Sequence, residues 1–411
     1  MADSKKVAMA GGKDRFEDLP DHVLELLLSF LDALNAVRTS VLARRWRNLW
    51  KSVPVLRFDP YSNCFDPYSN FGSAENFNNF VNKVLECRDQ TSPLRECQIN
   101  SYLYGEQKEI YRDVESWVQY AVSCQVSVLR VLIQDGYHLY LSNNSVISRH
   151  LTDLMLYSVD FDESPLDLVS CDALEVLDID CCCINLGDIL PKSLRHLTVK
   201  YSILLSMHTQ RSRLSAPGLV TFELEDCEGW TPLLENVPSL VTSSIIIEVL
   251  ECNDSCDEDK YLGDCGVESC EGCYVEDDCS VILEGLSGAT NLKLISVYSM
   301  IFRKDLEWCP IFSKLKTVLL NEWCLTANFT GLLHFLQYSP ILEKLTLQFL
   351  RYEKFGIDSS ESYNPSEYFL VSKHLMIVEI HCRKKDKMIF QIEKILGTHG
   401  VTPAQLDIKL L

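Results

Sequence analysis

Eighteen cysteines and nine histidines are the side chains that could bind a metal or act as nucleophiles, and their spacing decides whether they do. Six of the cysteines share one stretch, at positions 252, 256, 265, 270, 273 and 279. Cys270-x-x-Cys273 with Cys265 and Cys279 has the ligand types of a four-thiolate zinc site, but the other intervals are irregular and no histidine joins them. Residues 251–279 also hold eleven acidic side chains against one lysine. A solvated acidic loop is the reading these residues favour, with a zinc site and a redox sensor as alternatives. His196, His381 and the other histidines show no HExxH or paired ligand spacing. Gly11-Gly12-Lys13 lacks the upstream glycine and strand of a phosphate loop, and no GxSxG or Cys/His nucleophile context is present. The expectation is a non-catalytic chain with no metal and no cofactor, acting by recognition and proximity.

The composition fits that role. The 411 residues are 47% hydrophobic and 23% charged, which is the make-up of a core-forming protein. One hydrophobic core stops growing at about 250–300 residues, so two domains or a repeat architecture are required. A net charge of -20 repels phosphate backbones and anionic lipid, which argues against nucleic-acid and membrane partners. The charge is uneven: residues 1–58 hold ten basic and seven acidic side chains, leaving 28 against 51 for the rest. Residues Met1 to Gly12 lack a signal-peptide apolar core, and no run of 18 apolar residues occurs, so an intracellular setting is expected, in nucleus or cytoplasm. Most thiols should then be free and buried.

Two elements open the chain. Pro20 and Asp21 suit a helix start, and Leu24, Leu27, Leu28 and Leu31 fall on one face of a helix expected from about Pro20 to Leu31. Val23, Leu26 and Phe30 form a second apolar stripe beside it. Asp32 is placed to cap a second helix that carries Leu34, Val37, Val41, Leu42, Trp46, Leu49, Trp50 and Val53 up to Pro54. A unit of about 40 residues seldom buries that much apolar surface alone, so part of it should meet a partner. Five such side chains, at roughly 1.5–3 kcal/mol each, would supply about 10 kcal/mol against an association cost of about 4–15. Two other readings of this stretch are a helical hairpin packed on its own chain and, for Arg44, Arg45 and Arg47, a nuclear-import patch.

These residues, Leu19-Pro20, Leu24, Leu27, Leu28, Leu31, Ala36-Val37-Arg38-Thr39 and Arg44-Arg45-Trp46-Arg47-Asn48-Leu49-Trp50, resemble a plant F-box. The resemblance covers about residues 14–58 and implies a three-helix module docked on the Skp-type adaptor of a cullin-based (SCF) ubiquitin ligase. Its contact residues would be Leu19, Pro20, Leu24, Leu27, Leu28, Leu31, Val37, Val41, Trp46, Leu49 and Trp50. Ala33 and Ala43 stand where many relatives have proline and serine.

Beyond the front module the pattern Leu-x-x-Leu-x-Leu recurs, the signature of short parallel strands with inward apolar residues. Copies begin at Leu151, Leu174, Leu194, Leu219, Leu292, Leu315, Leu342 and Leu375, with weaker ones at Leu94, Val128 and Leu240. Most intervals lie in or near the range of about 20–29 residues typical of leucine-rich repeats. Cys182 and Cys227, three beyond the last inward residue of their repeats, are expected to be buried. Phe329, Leu332, Leu333 and Leu336 have helical spacing ending at Pro340. Phe77, Phe80, Val81, Val84 and Leu85 suit a capping helix, preceded by the turn-rich duplication at 59–63 and 66–70.

The repeats, with Ser339-Pro340-Ile341-Leu342-Glu343-Lys344-Leu345, look like those of plant F-box/LRR proteins, and the last segment is similar to their FBD-like portion. The expected fold is α/β: an F-box at 14–58, a linker and cap at 59–92, a leucine-rich-repeat solenoid at 93–360 with its acidic insertion, and an FBD-like segment at 361–411. Strands would line the concave face and helices or loops the convex face. The resemblance implies a substrate receptor that reaches cullin and RING subunits through the adaptor. The alternative is a non-degradative scaffold. Candidate target contacts on the strand face are Tyr157, Asp178, Asp180, His196, Lys200, Glu223, Tyr298, Asn321 and Lys344.

Overall fold

The computed structural model describes residues 16, 18–60, 70–102, 108–134, 137–161, 165–205, 212–248, 282–296, 309–349 and 373–411. The chain separates into two compact units, Met1–Leu129 and Arg130–Leu411.

In the first unit, helix α1 runs from Asp21 to Leu28, with Pro20 in an extended conformation at its cap. It stops short of the expected Leu31 because the Ser29 hydroxyl donates to the Leu26 carbonyl at 2.6 Å, and such local bonds compete with the helical ladder. Asp32 caps α2, accepting from the Asn35 amide at 2.8 Å. Helix α2 is brief, Ala33–Arg38, and three 3-10 turns follow at Thr39–Val41, Arg44–Arg47 and Leu49–Ser52 in place of one continuous helix. The Thr39 hydroxyl donates to Ala36 O at 2.7 Å, and β-branched Thr39 and Val41 disfavour further α-helix.

Strand β1, Val55–Phe58, pairs in parallel with β2, Glu96–Tyr102. The crossover between them includes α3, Ala74–Cys87, which Ser73 caps and which buries Phe77, Val81, Val84 and Leu85 as the sequence pattern requires. Helix α4, Lys108–Ser123, adds Trp117, fully buried, with ring centroids 6.1 Å from Phe77 and 6.5 Å from Phe58. Arg88, 4% exposed, donates to the Val53 carbonyl at 3.1 Å and to Ser92 O and Pro93 O at 2.9 and 3.0 Å. One cation thereby ties the end of the front module to the loop after α3.

The strand Val128–Gln134 carries the chain across the division. In the second unit ten described strands pair in parallel, each with the next in the chain: Asp153–Tyr157, Val176–Asp180, His196–Lys200, Thr221–Glu225, Thr242–Ile247, Asn291–Ser296, Thr317–Asn321, Lys344–Phe349, Ile377–Cys382 and Leu406–Leu410. Alternate positions are buried, which puts Leu154, Leu177, Leu197, Phe222, Leu292, Val318, Leu345 and Val378 in one inward row. Two copies sit in a different phase from the sequence reading. Leu292 pairs with Ser243 and Val318, so it is a middle residue and the inward triplet is Ala289, Leu292 and Leu294. In Val128–Gln134 the buried residues are Leu129, Val131 and Ile133, and Val128 is only half-buried.

After four successive strands the backbone turns through a left-handed residue, Ser158, Cys181, Tyr201 and Asp226. These turns lead into Val159–Phe161, Cys183–Ile184, Ile203–Leu204 and Glu228–Gly229, which with the earlier Leu139–Leu141 form a second parallel sheet of short strands. Between 137 and 248 the return path among the described residues is therefore strand and turn, because repeats of this length leave too few residues for a helix with two loops. Where the interval lengthens to 27 positions, Leu315 to Leu342, the helix Thr326–Tyr338 appears as its spacing predicts. Another, Lys387–Thr398, connects the last two strands. Close packing of repeats explains one glycine: a Cβ on Gly218 would lie 2.1 Å from the Lys192 carbonyl oxygen. The duplication at 59–63 and 66–70 and the cysteine-rich stretch at 251–279 fall largely or wholly outside the described residues.

Candidate functional site

The front module keeps some of its apolar residues and displays the rest. Leu24 and Leu28 turn inward, 0% and 2% exposed, and Leu49, Ala33 and Ala36 join them. Arg45 locks this core from outside: its guanidinium meets Asp21 at 2.7 Å and donates to the carbonyls of Phe16, at 3.2 Å, and Leu19. The Phe16 and Trp46 rings meet edge to face at 5.8 Å. Other apolar residues face outward: Leu26 and Leu27 on α1, Phe30 and Leu31 just after it, and Val41 and Leu42 beyond α2 are all exposed. Phe30, Val41 and Leu42 are 75%, 84% and 72% exposed, far beyond what a packed hairpin leaves open. The two groups bracket α2, whose six residues span about 9 Å.

This divides the expected contact residues. Pro20, Leu27, Leu31 and Val41 are exposed, and Leu19, Val37, Trp46 and Trp50 are half-buried. Leu24, Leu28 and Leu49 are corrections: they form the module's own core and offer no surface, because α1 needs one stripe to pack on the turns that follow it. Phe30 and Leu42 belong on the open face instead; the second apolar stripe of α1 was the signal for Phe30.

On the second unit, the outer positions of the long sheet form cross-strand rows. Lys200 reaches Glu225 at 3.0 Å and Glu223 at 3.5 Å, and the Tyr201 hydroxyl donates to Glu225 at 3.1 Å. The Lys200 hydrogen bond holds the Glu225 carboxyl below its usual range, and Glu225 in turn raises the Lys200 ammonium. His196 Nδ1 lies 2.6 Å from the Thr221 hydroxyl. Tyr157, Asp178 and Asp180 are half-buried outer positions; Tyr157, Asp180 and Lys200 are in register across adjacent strands, and Asp178 aligns with Met155 and Thr198. Lys344 pairs with Glu379 at 3.0 Å, and Lys409 reaches the same carboxylate at 3.1 Å.

Asn321 departs from this set. It is buried, its side-chain oxygen accepting from the Ser296 amide at 3.0 Å and its amide donating to the Ser296 carbonyl at 2.9 Å, so it joins two strands and presents nothing outward. Tyr298 lies outside the described residues. Cys182 and Cys227 are buried as their position predicts, and desolvation pushes both thiols up to about 12, which keeps them protonated. Among the described residues no three His, Cys, Asp or Glu side chains are placed to hold a metal ion, and no helix is long and apolar enough to cross a membrane.

The F-box domain family matches residues 16–58, which contain the whole exposed apolar face. MEIOTIC F-BOX protein MOF of Oryza sativa subsp. japonica is 27% identical over 81% of this chain and 71% of its own length. An F-box/LRR-repeat protein of Arabidopsis thaliana is 27% identical over 73% of this chain and 91% of its own length. An FBD-associated F-box protein of the same plant is 26% identical over 84% and 87%. A further FBD-associated F-box protein from Arabidopsis thaliana is 30% identical over 148 residues, and there the match spans only 36% of the relative's length. The front of the chain carries an F-box domain, and the parallel sheet of leucine-patterned strands behind it is matched along most of its length by plant F-box/LRR-repeat proteins, to which this chain is similar.

Proposed function

We propose that this protein is the substrate-recognition subunit of an SCF ubiquitin ligase. The F-box docks a Skp-type adaptor and, through it, cullin and RING subunits, while the leucine-rich repeats, read as a solenoid, hold the protein to be ubiquitinated. The chain contributes proximity and leaves bond making to the other subunits. It acts inside the cell, in nucleus or cytoplasm.

The observation that carries this reading is the outward display of Phe30, Val41 and Leu42 on a module whose core is complete without them. Covering large apolar side chains stabilises a complex by about 1.5–3 kcal/mol each, enough in sum to offset much of an association cost of about 4–15 kcal/mol. Co-purification of a Skp-type adaptor with the full chain tests it. Phe30→Asp with Leu42→Asp should weaken capture at least about 100-fold, because each puts a charge into a desolvated contact. Unchanged capture overturns the proposal. A target whose abundance does not respond to removal of this protein would favour the scaffold alternative.

A further inference from the structure

We infer that the partner surface covering the front module's apolar face is acidic at its border, and that Arg44 and Arg47, with Arg38 beside them, draw it into place. This rests on the adaptor reading and adds to it the charge of the docking surface. The three arginines of the turn Arg44–Arg47 have different roles. Arg45 is committed inside the module, to Asp21 and to the carbonyls of Phe16 and Leu19. Arg44 and Arg47 are exposed, and neither has an ion pair among the described residues. Arg38, also exposed, meets only the Asn35 side-chain oxygen among the described residues, at 3.5 Å.

Their position gives these charges a target. The turn Arg44–Arg47 packs beside the turn Thr39–Val41, and Val41 and Leu42 are among the most exposed apolar residues of the protein. Arg44 lies two positions after Leu42, a reach of at most about 7 Å, which is inside the screening length of about 8–10 Å at physiological salt. Whatever covers Val41 and Leu42 therefore feels these guanidinium groups. A partner without carboxylates there would leave cations at the edge of an apolar contact with no counter-charge, which is unfavourable. The remainder of the chain, 28 basic against 51 acidic residues beyond position 58, repels an acidic surface and so leaves this corner as the attractive one. A phosphate backbone would satisfy the arginines but could not cover the valine and leucine.

The test uses the full chain and a purified Skp-type adaptor, with association and dissociation rates followed as ionic strength rises from about 0.05 to 0.5 M. Arg44→Glu with Arg47→Glu should slow association about tenfold at the lowest salt and come within about twofold of the unaltered chain at the highest, with dissociation changed less than about threefold. Arg44→Gln with Arg47→Gln should fall between, and both variants should keep the unfolding temperature of the parent. Equal association rates at every ionic strength, or a loss that resides in dissociation and ignores salt, overturn the inference while leaving the adaptor reading intact. A parent chain that binds no adaptor at any salt overturns both.

Discussion

The front module and the strand repeats are built from the same side chains and treat them in opposite ways. Leu177, Leu197 and Leu345 are buried to within 1%, because each lies between equivalent residues of the strands before and after it. Leu42, Val41 and Phe30 have no such neighbours and stand open. A repeat supplies the next layer of its own core, so its apolar pattern closes on itself. A module of two short helices and three tight turns cannot do so, and what it leaves uncovered becomes a surface for another protein. Apolar periodicity by itself therefore says that a residue will be covered, and the architecture says by what.

Substitutions that probe the two settings should separate them sharply. Leu345→Ala, in the middle of the long sheet, should cost about 2–5 kcal/mol in denaturant unfolding, whereas Leu42→Ala should leave stability within about 0.5 kcal/mol and weaken adaptor capture instead. Comparable losses at both sites would break the comparison. Asn321→Ala should cost about 1–3 kcal/mol, since it removes two hydrogen bonds to the buried backbone of Ser296, and binding of a target should change only as far as folding does.

The smallest effect concerns the paired carboxylate of Glu379. Hydrogen bonds from Lys344 and then Lys409 hold it below its usual range, so the ionised form belongs to the folded state. A depressed carboxyl contributes stability above its unfolded pKa and loses it as pH falls through the folded one. Glu379→Gln should thus lower stability by about 0.5 kcal/mol at pH 7, the ordinary size for exposed pairs, and the difference should shrink in thermal melts as acid protonates the carboxylate below the ordinary glutamate range. A gap that persists in acid would assign the loss to packing.

Much of this was legible in the residues. The Asp32 cap, the helix ending before Pro340, the inward leucines and the burial of Cys182 and Cys227 all followed from local rules, because each depends on neighbours a few positions away or one repeat away. The errors share a cause as well. Leu-x-x-Leu-x-Leu can be laid on Leu292 in two phases, and only pairing with Ser243 and Val318 selects the one that starts at Ala289. Asn321 looks like an outward residue until the Ser296 backbone is found beside it, 25 positions earlier in the chain.

The residue order alone determined that an apolar front segment precedes a train of leucine-patterned strands and that the chain is acidic apart from its first 58 residues, since periodicity and charge are properties of the string. Which stripe of α1 is core and which is surface, and which arginine is a strut and which are open to a partner, were decided by tertiary structure. The reason is geometric: the apolar residues in and just after α1 surround the helix, and the turn Leu49–Ser52 packs on α1, where Leu24 and Leu28 are buried, while Phe30 just beyond the helix stays uncovered.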